Sequence, residues 1–156
     1  MDERPLKICL AASAGGHLTQ LLRLEEAWRG HDVFFVTTGN MVAAQLGERF
    51  DARAYVVGES NRQHPLRMLR VLARCVGVIV RERPDVVVST GAAHGALLCC
   101  LGKLVGARIV WVDSIANVHR PSLSGRIVLR LSDLFLAQWR DVAEGDPRIE
   151  YLGELV

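Results

Sequence analysis

Short runs that are apolar at nearly every position alternate along this chain with longer stretches whose apolar residues recur at helical spacing. The runs are "LKICLAA", "DVFFVTT", "RAYVVG", "PDVVVST", "RIVWVD" and "DLFLAQ", and the helical stretches fall at 16–29, near 41–48, at 63–82, 92–105 and 122–131. A strand that is apolar throughout is buried on both faces, as in a parallel sheet with helices on each side. The pattern therefore predicts an α/β fold, a doubly wound, Rossmann-like parallel sheet, as one domain over residues 1–156. The prolines agree with this reading. Pro65 suits the first turn of the helix it opens, and Pro84 ends that helix and frees "DVVVST" for the next strand. No linker, repeat or low-complexity tract divides the chain.

Composition narrows the classes of function. A chain of 156 residues with 50% hydrophobic content can bury one core. Its 19 Lys and Arg against 17 Asp and Glu leave a net charge of only +2, so attraction to anions must come from where the arginines sit. Nucleic acid is not an expected partner. Cys9, Cys75, Cys99 and Cys100 lie inside apolar segments with no C-x-x-C spacing and no secretory leader before them. Reduced, buried thiols in the cytosol are expected, with no metal site and no cofactor. The longest apolar windows are too short, or too interrupted by charge and glycine, to span a bilayer.

In doubly wound sheets ligands bind beyond the carboxyl ends of the strands, so the turns after each strand carry the candidate chemistry. Three turns stand out: Ser13-Ala14-Gly15-Gly16-His17, Ser89-Thr90-Gly91-Ala92-Ala93-His94-Gly95 and Asp113-Ser114-Ile115-Ala116-Asn117. Gly15 and Gly16 let the backbone approach a ligand closely and leave the first N–H groups of the next helix open to a phosphate. "SAGGH" lacks the residues that define the dinucleotide and P-loop fingerprints. His17 has two readings. It is either a helix N-terminal residue satisfied by a backbone carbonyl or a base, since a helix N-terminus disfavours an added positive charge and leaves imidazole free to accept a proton. His94 is open to a structural or a functional reading in the same way.

The stretch from about Asn61 to Arg83 carries Arg67, Arg70, Arg74 and Arg81 along one side of a helix, among Leu66, Leu69, Val71, Leu72, Val76, Ile79 and Val80. It is either a solvated face of a core helix or a basic helix at an anionic membrane surface, where each arginine contributes roughly 1 kcal/mol. Arg67, Arg70 and Arg74 are the expected membrane-surface residues.

The segments "KICLAASAGGHLTQLLRL", "FFVTTGN", "ERPDVVVSTGA" and "SLSGRIVLRLSDLFLAQW", in this order and spacing, resemble the PssD/EpsF-like bacterial family of exopolysaccharide biosynthesis proteins. Its eukaryotic relative is the membrane-anchoring subunit of the dolichyl-diphosphate-linked N-acetylglucosaminyltransferase. The resemblance implies the N-terminal, acceptor-binding half of a split GT-B glycosyltransferase, similar to that half of MurG, with a separate PssE-like chain supplying the nucleotide-sugar site. The implied acceptor is a polyprenyl-diphosphate-linked saccharide, met at the cytoplasmic face of the cell membrane by a peripheral, heteromeric enzyme that is inactive without its partner. Gly15, Gly16 and His17 match the family's glycine-rich loop. On this reading His17 is the first choice for the base and Asp113 the second. Ser13, Gly15, Gly16, Thr90, Gly91, His94, Ser114 and Asn117 are the acceptor and phosphate contacts. Where the family commonly reads Glu-Ser-Phe-Ala-Arg, this chain keeps a shorter carboxylate at Asp113 and replaces the arginine by Asn117. The alternative is a non-catalytic scaffold that brings its partner to the membrane.

Overall fold

Strands that are apolar on both sides need helices over both faces, and the computed structural model, which describes residues 4–59 and 64–155, has this arrangement. The strands are β1 (Lys7–Ala11), β2 (Asp32–Thr37), β3 (Arg53–Val56), β4 (Val86–Ser89), β5 (Arg108–Val112), β6 (Leu134–Ala137) and β7 (Ile149–Tyr151). All neighbouring pairs are parallel, in the order β3-β2-β1-β4-β5-β6-β7. The helices are α1 (Gly16–Leu22), α2 (Glu25–Trp28), α3 (Asn40–Phe50), α4 (Pro65–Glu82), α5 (Ala93–Leu104), α6 (Leu123–Val128) and α7 (Arg140–Glu144).

Two apolar clusters sandwich the sheet. One packs Val71, Cys75 and Ile79 of α4, Leu98 and Cys99 of α5, Val128 of α6 and Val142 of α7 against Cys9, Phe34, Val87, Ile109, Trp111 and Phe135. The other packs Leu21, Trp28 and Leu46 from α1–α3 against Ile8, Leu10 and Phe35. Val110, Leu134 and Leu136 remain half-buried. Cys9, Cys75 and Cys99 belong to the first cluster, and burial pushes the Cys75 thiol up to about 11, so these thiols fill space and stay protonated.

Two sequence expectations change. The single helix expected over 16–29 divides at Arg23 and Leu24 into α1 and α2. Beyond "DLFLAQ" the chain adds α7 and a short edge strand, β7, which the apolar pattern does not announce because only Ile149 of its three residues is buried. The prolines act as expected: Pro65 is in the first turn of α4, and the helix ends at Arg83 with a left-handed φ of 47°, directly before Pro84. Asn61, at the start of the expected basic helix, lies outside the described residues.

Candidate functional site

Strand order reverses at β1 and β4, so the turns after these two strands open a crevice at the carboxyl edge of the sheet. The first turn enters α1 through Gly15, at φ 97°. The second contains Gly91 at φ 143° and Ala92 at φ 67°, ψ 162°, a region that is otherwise glycine's and that costs about 1–3 kcal/mol. The turns are tied together. The Thr90 hydroxyl donates to the His17 carbonyl at 2.6 Å. The His17 ring lies directly on Gly91, where an added Cβ would collide with Cε1 and stand 2.6 Å from Nδ1. Gly91 is thus required twice, by its φ and by the imidazole above it. Below it, Ser89 Oγ accepts from the Gly91 N–H at 3.3 Å and leaves no space for a side chain at Gly95.

The third wall is the loop after β5. Asp113 is only 2% exposed, and its carboxylate is held by three donors. Oδ1 accepts from Trp111 Nε1 at 3.0 Å and Ser122 Oγ at 2.8 Å, and Oδ2 accepts from the Ser122 N–H at 3.0 Å. Ser122 Oγ also accepts from the Gly125 N–H at 2.9 Å, which caps α6. The loop between is fixed by Trp139 Nε1, which donates to Ile115 O at 2.6 Å. Gln138 Nε2 donates to Asp113 O at 3.0 Å and to Gln20 Oε1 at 2.9 Å, joining this loop to α1.

These elements enclose a cleft of about 300 Å³ whose lining brings together His17, Gly91, Asp113, Ser114 and Asn117 of the sequence-derived set. Ser13, Gly15 and Gly16 do not line it; both glycines lie on the exposed turn that leads to His17. Thr90 is fully buried, with its hydroxyl committed to His17, and offers a ligand no side-chain surface. His94 is 2% exposed and lies beneath the turn, so its side chain does not reach the cleft either. Burial, reinforced by the nearby His17, lowers the His94 pKa to about 4 against the opposing effect of the Ala12 backbone, and the ring is neutral at physiological pH. Both His94 Nε2 and His17 Nδ1 are buried without a hydrogen-bond partner among the described residues.

Ala92, Ala116, Ser122, Leu123 and Ser124 complete the lining and are absent from the sequence-derived set. Ser122 has a local signal, a serine before the helical run "LSGRIV", read as an N-cap. Gln20 and Gln138 have none, being 118 positions apart. Chemically, the cleft offers an imidazole and hydroxyls, and it is lined by Ala92, which precedes α5, a helix start that no side chain caps.

Arg67, Arg70 and Arg74 lie elsewhere, exposed on α4. The apolar residues of this helix divide into two rows. Val71, Leu72, Cys75 and Ile79 face the core or its edge. Leu66, Leu69, Val76 and Val80 face outward, with Leu66 75% and Leu69 61% exposed. No helix among the described residues is long and apolar enough to cross a membrane.

The sequence model of the family described as "Oligosaccharide biosynthesis protein Alg14 like" matches residues 49–155. The "UDP-N-acetylglucosamine transferase subunit ALG14" of Candida albicans is 32% identical over 172 residues, covering 96% of this chain and 78% of that protein. The human protein of the same name is 29% identical over 188 residues, covering 100% of this chain and 87% of its own length. Among solved structures, Acinetobacter baumannii MurG superposes with a TM-score of 0.72 at 13% identity, over 88% of this chain and 43% of that one. UDP-GlcNAc 2-epimerase of Methanocaldococcus jannaschii gives 0.70 at 16% identity, over 96% and 46%. This chain therefore has the fold of somewhat less than half of each.

Proposed function

Because the chain belongs to the Alg14-like family of oligosaccharide biosynthesis proteins, we propose that it is the acceptor-binding, membrane-recruiting subunit of a two-chain glycosyltransferase. The donor is a nucleoside-diphosphate sugar, and the names of the relatives favour UDP-N-acetylglucosamine. The acceptor is a polyprenyl-diphosphate-linked saccharide at the cytoplasmic face of the membrane, and the donor is held by a separate PssE-like chain. The resemblance of the four sequence segments to the PssD/EpsF-like family further suggests exopolysaccharide biosynthesis as the setting. The observation that carries this reading is the His17 imidazole, seated on Gly91 at the mouth of a cleft built by the turns at the strand-order reversal.

In the proposed reaction the acceptor hydroxyl attacks the anomeric carbon of the donor sugar, its proton passes to the His17 imidazole, and the nucleoside diphosphate leaves with the electrons of the broken bond. The Ser114 and Asn117 side chains hold the acceptor and its phosphate beside the uncapped start of α5, while Gly15 and Gly16 allow it to pass close to the backbone. Asp113, whose carboxylate already accepts three hydrogen bonds, has the smaller claim to the role of base; it fixes the wall of the cleft through Ser122. Thr90 and His94 act beneath the surface, Thr90 by fixing the backbone of His17. The outward apolar row and the arginines of α4 form the membrane surface.

The test is to co-purify this chain with its donor-binding partner and assay transfer to a short polyprenyl-diphosphate acceptor. Transfer by the pair and none by either chain alone is the expected result. Full activity of the partner alone would make this chain a scaffold.

A further inference from the structure

A second groove, of about 750 Å³, lies between α4 and the carboxyl ends of β2 and β3, and it shares no lining residue with the His17 cleft. Its lining includes Thr38, Asn40, Tyr55, Arg74, Gly77 and Arg81, and contains no acidic residue among the described residues. Arg74 and Arg81 are seven positions apart and therefore stand on the same side of α4. Neither forms an ion pair among the described residues. Arg74 reaches across the groove, donating through Nη1 to Val57 O at 3.4 Å, which leaves its other N–H groups unused by this contact. One negative charge beside the groove is already answered: the Glu82 carboxylate is 3% exposed, accepts the hydroxyl of the lining residue Tyr55, and pairs with Arg53 at 2.8 Å and Lys7 at 3.4 Å, whereas Glu59 follows the lining residue Gly58 and is exposed.

Gly77 sits between the two arginines in the interior of an 18-residue helix, where glycine is costly. Packing does not demand it, because a Cβ at this position would meet nothing within 4 Å. What the glycine does provide is open space between two guanidinium groups. Opposite, the hydroxyl of Thr38 and the amide of Asn40 supply uncharged donors.

We propose that this groove binds a phosphate group, bracketed by Arg74 and Arg81 with Gly77 leaving room for its oxygens. Guanidinium suits this chemistry because its planar fork of donors matches phosphate oxygens and stays charged. The phosphate is presented by the headgroup of an anionic phospholipid. In support of that source, Leu66, Leu69, Ala73 and Val80 each precede an arginine by one position, so the exposed apolar row runs beside the basic row about 100° round the helix. A membrane resting on the first row meets the second with its phosphates. The lipid source rests on the membrane-recruiting reading above; the phosphate site does not.

The experiment titrates the full chain, by amide NMR and calorimetry, with inorganic phosphate and glycerol 1-phosphate, and in parallel with vesicles containing phosphatidylglycerol. Wild type, Arg74→Gln/Arg81→Gln, Gly77→Leu and the off-groove control Arg67→Gln/Arg70→Gln are compared, with thermal melts to establish folding. Soluble phosphate should perturb Asn40, Gly58 and Gly77, and both groove variants should weaken it at least about tenfold while the control leaves it unchanged. If vesicle binding falls with both groove variants, the lipid source holds. If soluble phosphate binds in the groove but vesicles do not bind, the site stands and the membrane reading fails. If folded wild type shows no phosphate response and vesicle binding falls equally with either arginine pair and ignores Gly77→Leu, only diffuse attraction operates and the site is overturned.

Discussion

His17 is held in place from two directions, and substitution separates them. Gly91→Ala places a methyl where the imidazole now lies and imposes a side chain at φ 143°, so it should displace the ring and lower turnover in the reconstituted complex as strongly as loss of the imidazole does. Gly16→Ala is the complementary probe. A Cβ there meets nothing, so the fold should be untouched and any rise in the acceptor concentration needed for half-maximal turnover reports on the ligand. His94 makes a pH prediction. Its folded pKa, about 4, lies below the ordinary histidine value of 6.5, so between these values the unfolded chain binds the extra proton and stability rises with pH. The chain should lose on the order of 3 kcal/mol between pH 6.5 and 4 from this group, and His94→Leu should flatten that limb in denaturant titrations run across the range. An unchanged acid limb in the variant would show that another group governs it.

At the scale of elements, α4 has three sides: a core row, an apolar row facing outward and a basic row. Leu66→Ser with Leu69→Ser should reduce sedimentation with anionic vesicles and leave the melting temperature nearly unchanged, because both side chains are largely exposed. Val71→Ala should do the reverse, costing about 2 kcal/mol of stability with membrane binding retained. Replacing Arg67, Arg70 and Arg74 by glutamine should weaken vesicle binding as high salt does, since attraction between exposed charges is screened. The arginine row was legible in the spacing of the sequence. The two apolar rows were not, since Leu69 and Leu72 have the same chemistry and only tertiary packing decides which of them faces the core. The same limit applies at the cleft. Glycines and a histidine after a strand announce the turn that carries His17 to the cleft, and Ser122 announces a cap. The burial of His94 and Thr90, and the Gln20–Gln138 bridge, depend on which turns the sheet order brings side by side.

At the scale of the molecule, continuous apolar strands were enough to read the doubly wound sheet, because burial on both faces leaves no alternation to misread. β7 escaped because an edge strand with a single buried residue carries almost no pattern. The solved structures cited above are more than twice as long as the portion that matches this chain. The two-chain reading proposed above gives this chain the acceptor side only. Alone it should neither transfer sugar nor bind a nucleotide-sugar tightly, which equilibrium binding of the donor to the purified chain would check.

The central claim is that the His17 cleft performs the acceptor side of sugar transfer, and it is tested most directly by comparing turnover and acceptor binding for wild-type and His17→Ala complexes of equal thermal stability. The account predicts that turnover falls by about 100-fold to 10,000-fold, the range for loss of a general base, with acceptor binding little changed. Near-normal turnover by a folded His17→Ala complex would contradict it and move the base to Asp113 or to the partner chain.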